Sequence, residues 1–198
     1  HIKYIYQQIV QNKALLLAEL SVLTPKAMNQ LLNEWGGEKK PIPKKLTIEA
    51  ALSSALRKYN HQVAIVEGDE KITYAQLAEQ TANVAGWLQH KKQGVGSCIG
   101  IVGKRGIKTI IAIIGVLKAG CTYVPIDEKQ PEKRMQYMLN NADVSLLINT
   151  SDLVIQSDCE EVALSVCFHK RWLPKKSKAT DGAVAYIIHT SGSTGKPQ

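Results

Sequence analysis

The sequence predicts an α/β fold, a largely parallel sheet flanked by helices and preceded by a short helical segment. Three observations carry this. Strand-like and helix-like runs alternate from Leu46 onward, the strand-like runs are continuously apolar, and a Pro- and Lys-rich stretch separates them from a helical start. The 198 residues allow one domain and a little more. With 44% hydrophobic and 21% charged residues, the composition excludes collagen-like, coiled-coil and wholly disordered chains. Aromatics make up only 6% and the single Phe is Phe168, so an aliphatic core is expected.

Residues 1–35 read as helical. Ile2, Ile5, Tyr6 and Ile9 have helical spacing, and Thr24 before Pro25 is a second start signal. A Thr at the N-cap accepts from an orphan N–H of the first turn, and Pro just inside loses no donor that mattered. Gly36 and Gly37 are expected to end that helix. The stretch Glu38 to Lys45 is basic and interrupted by prolines, which suits a linker rather than a helix or central strand.

A helix is expected from Thr47 to Tyr59, with Ile48, Leu52, Ala55 and Tyr59 on one face. Val63 to Val66 and Ile72 to Tyr74, separated by Gly68-Asp69, predict a hairpin. Thr73 with Gln76 forms a capping-box pattern opening a helix that carries Leu77, Thr81, Val84 and Leu88 and stops near Gly94. Cys98 to Val102 predicts a buried strand. Ile107 to Ala119 predicts a helix closed by Gly120 and enclosed on nearly every side. Cys121 to Val124 is strand-like, and Pro131 starts a helix with Met135, Met138, Leu139 and Ala142 in one core stripe. Val144 to Ile148, Val162 to Cys167 and Ala183 to Ile188 complete the strand candidates, and no fixed-period repeat is present.

The net charge is +8 and the isoelectric point about 9.3, which invites a nucleic-acid reading. The lysines argue against it. They cluster in Pro- or Gly-punctuated stretches, at Lys39, Lys40, Lys44 and Lys45, at Lys91 and Lys92, and at Lys175, Lys176 and Lys178, rather than along one helix face. Cys98, Cys121, Cys159 and Cys167 form no Cys-x-x-Cys pair, so neither a zinc site nor a disulfide framework is expected and a reducing, cytoplasmic setting fits. The start shows no secretory pattern, and the most apolar run, Ile107 to Leu117, is too short to span a bilayer.

Chemistry concentrates after the last strand candidate. Tyr186 to Ile188, expected to be buried, leads into Thr190, Ser191, Gly192, Ser193, Thr194, Gly195 and Lys196. Glycines let backbone N–H groups converge on an anion, hydroxyls donate further bonds, and a lysine adds a point charge, so such a loop suits a polyphosphate. It is not a Walker A loop. Thr190 stands where that motif needs its first Gly, and Pro197 stands where it needs a Ser or Thr for magnesium.

The loop reads TSGSTGKP from Thr190 to Pro197, and in this it resembles the phosphate-binding signature of nonribosomal peptide synthetase adenylation domains, within the acyl-adenylate-forming ligases. LKAG-CT-YVPID from Leu117 to Asp127, followed by Pro131 and Arg134, is similar to a second signature of that family, and ITYAQL from Ile72 to Leu77 to a third. Glu19 to Trp35 resembles, less specifically, the approach from a condensation domain. Two departures stand out: Glu128 replaces a usual Pro, and Gln198 replaces a usual Lys.

The resemblance implies a helical condensation-domain end or interdomain linker at 1–45. It implies the N-terminal part of the adenylate-forming enzyme fold at 46–198, truncated after the phosphate loop. It further implies that in the intact enzyme an amino acid is activated with Mg-ATP to aminoacyl-AMP and passed to phosphopantetheine on a carrier domain. Partners implied are the amino acid and the carrier and condensation domains, with no nucleic acid or membrane. Lys196 is expected to contact the β- and γ-phosphates, with Thr190, Ser191, Ser193 and Thr194 as hydroxyl donors and Gly192 and Gly195 permitting the curl. No catalytic residue and no metal ligand is expected among these residues, so the piece alone should not turn over. His189, beside the loop, is expected in strand-end packing or on the substrate side rather than as a general base. The Leu117 to Asp127 signature is expected to be architectural, with Arg134 pairing with Asp127. An acyl- or aryl-CoA ligase of the same superfamily and a non-catalytic interaction module are the alternatives. A sheet interrupted after such a loop should leave an unpaired edge and exposed apolar surface.

Overall fold

A computed structural model describes residues 1–37, 47–151, 153, 155 and 157–190. The chain divides into two units, His1–Pro43 and Lys44–Gln198. In the first, α1 (Ile2–Gln11) ends at Asn12 in extended backbone, and a 3-10 turn follows at Leu17–Glu19. The Gln8 side chain then pairs with the Ser21 backbone as a strand neighbour would, donating to its carbonyl at 2.8 Å and accepting its N–H at 3.1 Å. Thr24 caps α2 (Pro25–Asn29) by accepting the Ala27 N–H, and a π turn continues to Glu34 before Gly36 and Gly37. The expected helical start is thus broken between Asn12 and Thr24. None of the described residues of this unit is buried. The expected linker at Glu38 to Lys45 lies outside the described residues.

The second unit opens with α3 (Ile48–Lys58), capped by Thr47 as its sequence dictates. Its buried residue is Leu56, while Ile48 is exposed. Strands β1 (Val63–Glu67) and β2 (Glu70–Thr73) form an antiparallel ribbon turning at Gly68, whose φ of 58° suits a residue without a Cβ. Helix α4 (Tyr74–His90) begins at a reciprocal capping box: the Gln76 N–H donates to Thr73 Oγ1 and the Thr73 N–H to Gln76 Oε1. It stops before the expected Gly94, where Lys92 takes a φ of 60°.

Four strands form one parallel sheet in the order β4-β3-β5-β6: β3 (Cys98–Gly103), β4 (Thr122–Asp127), β5 (Val144–Asn149) and β6 (Glu160–Ala163). Successive side chains of a strand face opposite ways, so the sheet separates two cores. Ile99, Ile101, Leu146 and Ile148 meet α4 and α5 (Ile107–Ala119) on one face, and Val102, Ile126 and Leu147 meet α6 (Glu132–Asn141) on the other. Met135, Met138, Leu139 and Ala142 are buried as the stripe predicts. Trp87 is the buried aromatic in an otherwise aliphatic core.

Helix α5 crosses α4 at Gly115, where a Cβ would lie 2.5 Å from Val84 Cβ. The expectation that α5 is enclosed on nearly every side is corrected: Ile107, Ile111, Ala112 and Val116 are buried, but Ile110, Ile113, Ile114 and Leu117 only half so. Gly120, in the left-handed region at φ 89°, closes it.

The strand expected at Val162 to Cys167 ends at Ala163 and becomes a 3-10 turn at Leu164–Phe168, because Leu164 and Cys167, three residues apart, bury together. Beyond it the chain is strapped to α4. Asn83 Oδ1 accepts the Trp172 N–H at 2.9 Å, and Gln89 bonds both the N–H and the carbonyl of Lys175.

Candidate functional site

All four sheet strands run the same way, so their carboxyl ends open on one side, where open α/β sheets place ligands. A fifth segment joins them at the outer border of β4. Tyr123 and Tyr186 form a parallel bridge, the Tyr123 N–H donating to Ala185 O at 3.1 Å and the Ile187 N–H to Tyr123 O at 3.0 Å. Thr122 Oγ1 adds a bond to Val184 O, and the rings of Tyr123 and Tyr186 lie 5.7 Å apart. Burial and Tyr186 raise the Tyr123 phenol above its usual range. The expected burial of this run is corrected: Tyr186 is 52% and Ile188 55% exposed, because pairing reaches only one side of the segment.

The segment runs on to Thr190, which is exposed. Of the seven candidate nucleotide residues, Thr190 is the one described; Ser191, Gly192, Ser193, Thr194, Gly195 and Lys196 lie outside the described residues. Beside Thr190, Asn141 at the end of α6 bonds the His189 ring, Nδ2 to Nε2, at 3.1 Å. His189 Nδ1 and Arg134 Nε are buried without a hydrogen-bond partner among the described residues. Burial, then the Arg134 charge, holds His189 below the usual histidine range. The expected Arg134–Asp127 pair is absent among the described residues. Asp127 instead accepts the Lys129 N–H at 2.9 Å and shapes its own turn.

Two strands away, a cavity of about 400 Å³ opens at the ends of β3 and β5, lined by Glu67, Lys104, Lys108, Thr109, Glu128 and Thr150 among others. At its edge the Ile107 N–H, at the start of α5, donates to the Glu67 carboxylate at 2.7 Å. A carboxylate there satisfies an orphan donor and meets the positive end of the helix dipole. Sequence reading missed Glu67: it sits 40 residues from Ile107, and no local pattern connects them. Among the described residues no group of three His, Cys, Asp or Glu side chains could hold a metal ion, and no helix is long and apolar enough to cross a membrane.

A parallel sheet with helices on both faces, bordered by the Tyr186 segment that precedes a Ser-, Gly- and Lys-rich stretch of sequence, defines an α/β protein of the kind whose ligands bind at the strand ends. The chain belongs to the family of AMP-binding enzymes, whose model matches residues 52–198. It is 32% identical over 202 residues to bacitracin synthase 1 of Bacillus licheniformis, covering 100% of this chain and 4% of that protein. To tyrocidine synthase 3 of Brevibacillus parabrevis it is 30% identical over 206 residues, covering 100% of this chain and 3% of that one. The chain therefore spans only a small part of the curated relatives it matches. Among solved structures, the AMPPNP-bound form of the nonribosomal peptide synthetase FmoA3 superposes with a TM-score of 0.76 at 20% identity, over 96% of this chain and 21% of that one. The N-terminal subdomain of Klebsiella oxytoca NpsA gives 0.71 at 24% identity, over 78% and 41%. These two show the fold: the parallel α/β architecture is that of the N-terminal part of adenylate-forming enzymes.

Proposed function

We propose that residues 46–198 are the N-terminal part of a nonribosomal peptide synthetase adenylation domain, and that 1–45 are the helical end of a condensation domain or the linker from it. The observation that carries this is the family match over 52–198, running through TSGSTGKP where the border segment of the sheet ends. In the complete enzyme the carboxylate of an amino acid attacks the α-phosphate of ATP, giving aminoacyl-AMP and pyrophosphate. The acyl group then passes to the phosphopantetheine thiol of a carrier domain. Mg²⁺ enters with the nucleotide as its counter-ion.

Within this chain, Lys196 and the hydroxyls of Thr190, Ser191, Ser193 and Thr194 hold the polyphosphate, and Gly192 and Gly195 let the backbone approach it. Their work is electrostatic: donors fixed in place meet the charge that gathers on the departing pyrophosphate, which water would have to reorganise to do. The exposed Thr190 hydroxyl and the Arg134 Nε, which has no hydrogen-bond partner among the described residues, supply a donor chemistry that fits an anion.

The test is pyrophosphate exchange into ATP by the complete protein. Exchange should depend on an amino acid, and Lys196→Met should lower it about a hundredfold, the scale of losing one fixed donor. Exchange unchanged by that substitution removes Lys196 from the role. Exchange driven instead by a fatty or aryl acid, with transfer to free CoA, assigns the CoA ligase chemistry of the same superfamily.

A further inference from the structure

His189 ends the border segment two residues ahead of Ser191, and α6 holds it from the side through Asn141 at 3.1 Å. An amide nitrogen has only protons to give, so His189 Nε2 accepts and the neutral ring carries its proton on Nδ1. That Nδ1–H is buried and has no acceptor among the described residues. Burial and the neighbouring Arg134 charge keep the ring neutral near pH 7, and a neutral ring is the form that can accept from Asn141. The fold thus fixes the ring through Nε2, one residue ahead of Thr190.

We propose that His189 is a positioning residue: Asn141 fixes the imidazole, and the imidazole fixes how Thr190 hands the chain on to the nucleotide loop. This rests on the nucleotide-loop reading above, and its action is on the loop rather than on the reacting atoms. His189 then governs nucleotide affinity more than the chemical step.

The complete protein is compared with His189→Leu, His189→Gln and Asn141→Ala. Gln places an oxygen close to where Nε2 sits and can accept from Asn141 in its stead. His189→Leu and Asn141→Ala should each raise the KM for ATP about tenfold, the scale of one lost hydrogen bond to a fixed group, with kcat within about twofold. Both should speed deuterium uptake in the peptide 190–196, and His189→Gln should leave KM and uptake near wild type. If His189→Leu lowers only the melting temperature, the residue packs and nothing more, and the proposal fails. It fails equally if His189→Gln is as impaired as His189→Leu. A wild type without amino-acid-dependent exchange overturns the adenylation reading instead, and deuterium uptake alone then decides the role of His189.

Discussion

Replacing Gly115 by alanine sets two effects of opposite sign against each other. In a helix interior Ala is favoured over Gly by about 1 kcal/mol, because the backbone loses less entropy on folding. Gly115, however, is buried where α5 crosses α4, and an added Cβ would stand 2.5 Å from both Val84 Cβ and Val84 Cγ1, against 3.4 Å or more for ordinary contact. Val84 Cβ is fixed to the α4 backbone and cannot rotate away, so the two helices must part by about 1 Å in a core packed to crystal density. Overpacking of this kind costs about 1–3 kcal/mol, and a rigid neighbour places it at the upper end. The net expectation for Gly115→Ala is a loss of about 2 kcal/mol. Urea unfolding of wild type and variant measures it, as a lower midpoint at unchanged slope. Val84→Gly with Gly115→Ala moves the Cβ from one helix to the other, so the double variant should be more stable than the two single losses sum to, by at least about 1 kcal/mol. A Gly115→Ala protein more stable than wild type, or strict additivity of the pair, refutes the crossing as described.

Removing the carboxylate at the start of α5 by Glu67→Ala should cost about 1–2 kcal/mol, with Glu67→Gln losing less because an acceptor remains. Denaturant titration reads both, and no difference between Glu67→Ala and wild type contradicts the capping role. Burial pushes the thiols of Cys121 and Cys167 up to about 12. At pH 8 about one molecule in ten thousand then carries either thiolate, and iodoacetamide should label them only after unfolding. Peptide mass spectrometry checks this; labelling of Cys121 in the native protein as fast as the half-buried Cys159 would contradict it. Because the unfolded thiols ionise first, the same two groups should erode stability as pH climbs from about 9 toward 12.

What the sequence made legible is what is decided locally. The Thr73–Gln76 box, the Thr24-Pro25 and Thr47 starts, the Gly68 turn and the Gly120 stop each rest on residues within a few positions of one another, and all are present. The apolar runs at Cys98 and Val144 gave parallel strands because a strand covered on both faces has no polar side to display. The misreadings arose where distant partners decide. Leu164 to Cys167 look extended in isolation but bury three residues apart against α4 and α5. Ile110, Ile113 and Ile114 are as apolar as their neighbours, and only tertiary packing tells which side is covered. Likewise Glu67 with Ile107, and Asn141 with His189, are 40 and 48 residues apart, and polar contacts at such separations leave no periodic trace. Of the loop, Thr190 alone is described, and its polyphosphate role rests on residue chemistry: glycines, hydroxyls and one lysine.

The arrangement of the parallel sheet has a consequence for how a ribosome releases it. Its earliest strand in the chain, β3, lies inside; β4 joins one flank, β5 and β6 the other, and the Tyr186 segment comes last, against the far side of β4. Every newcomer therefore meets a border already standing, and none must wedge between strands that have paired. Assembly can keep pace with translation, growing outward from a seed complete once β3, α5 and β4 have emerged.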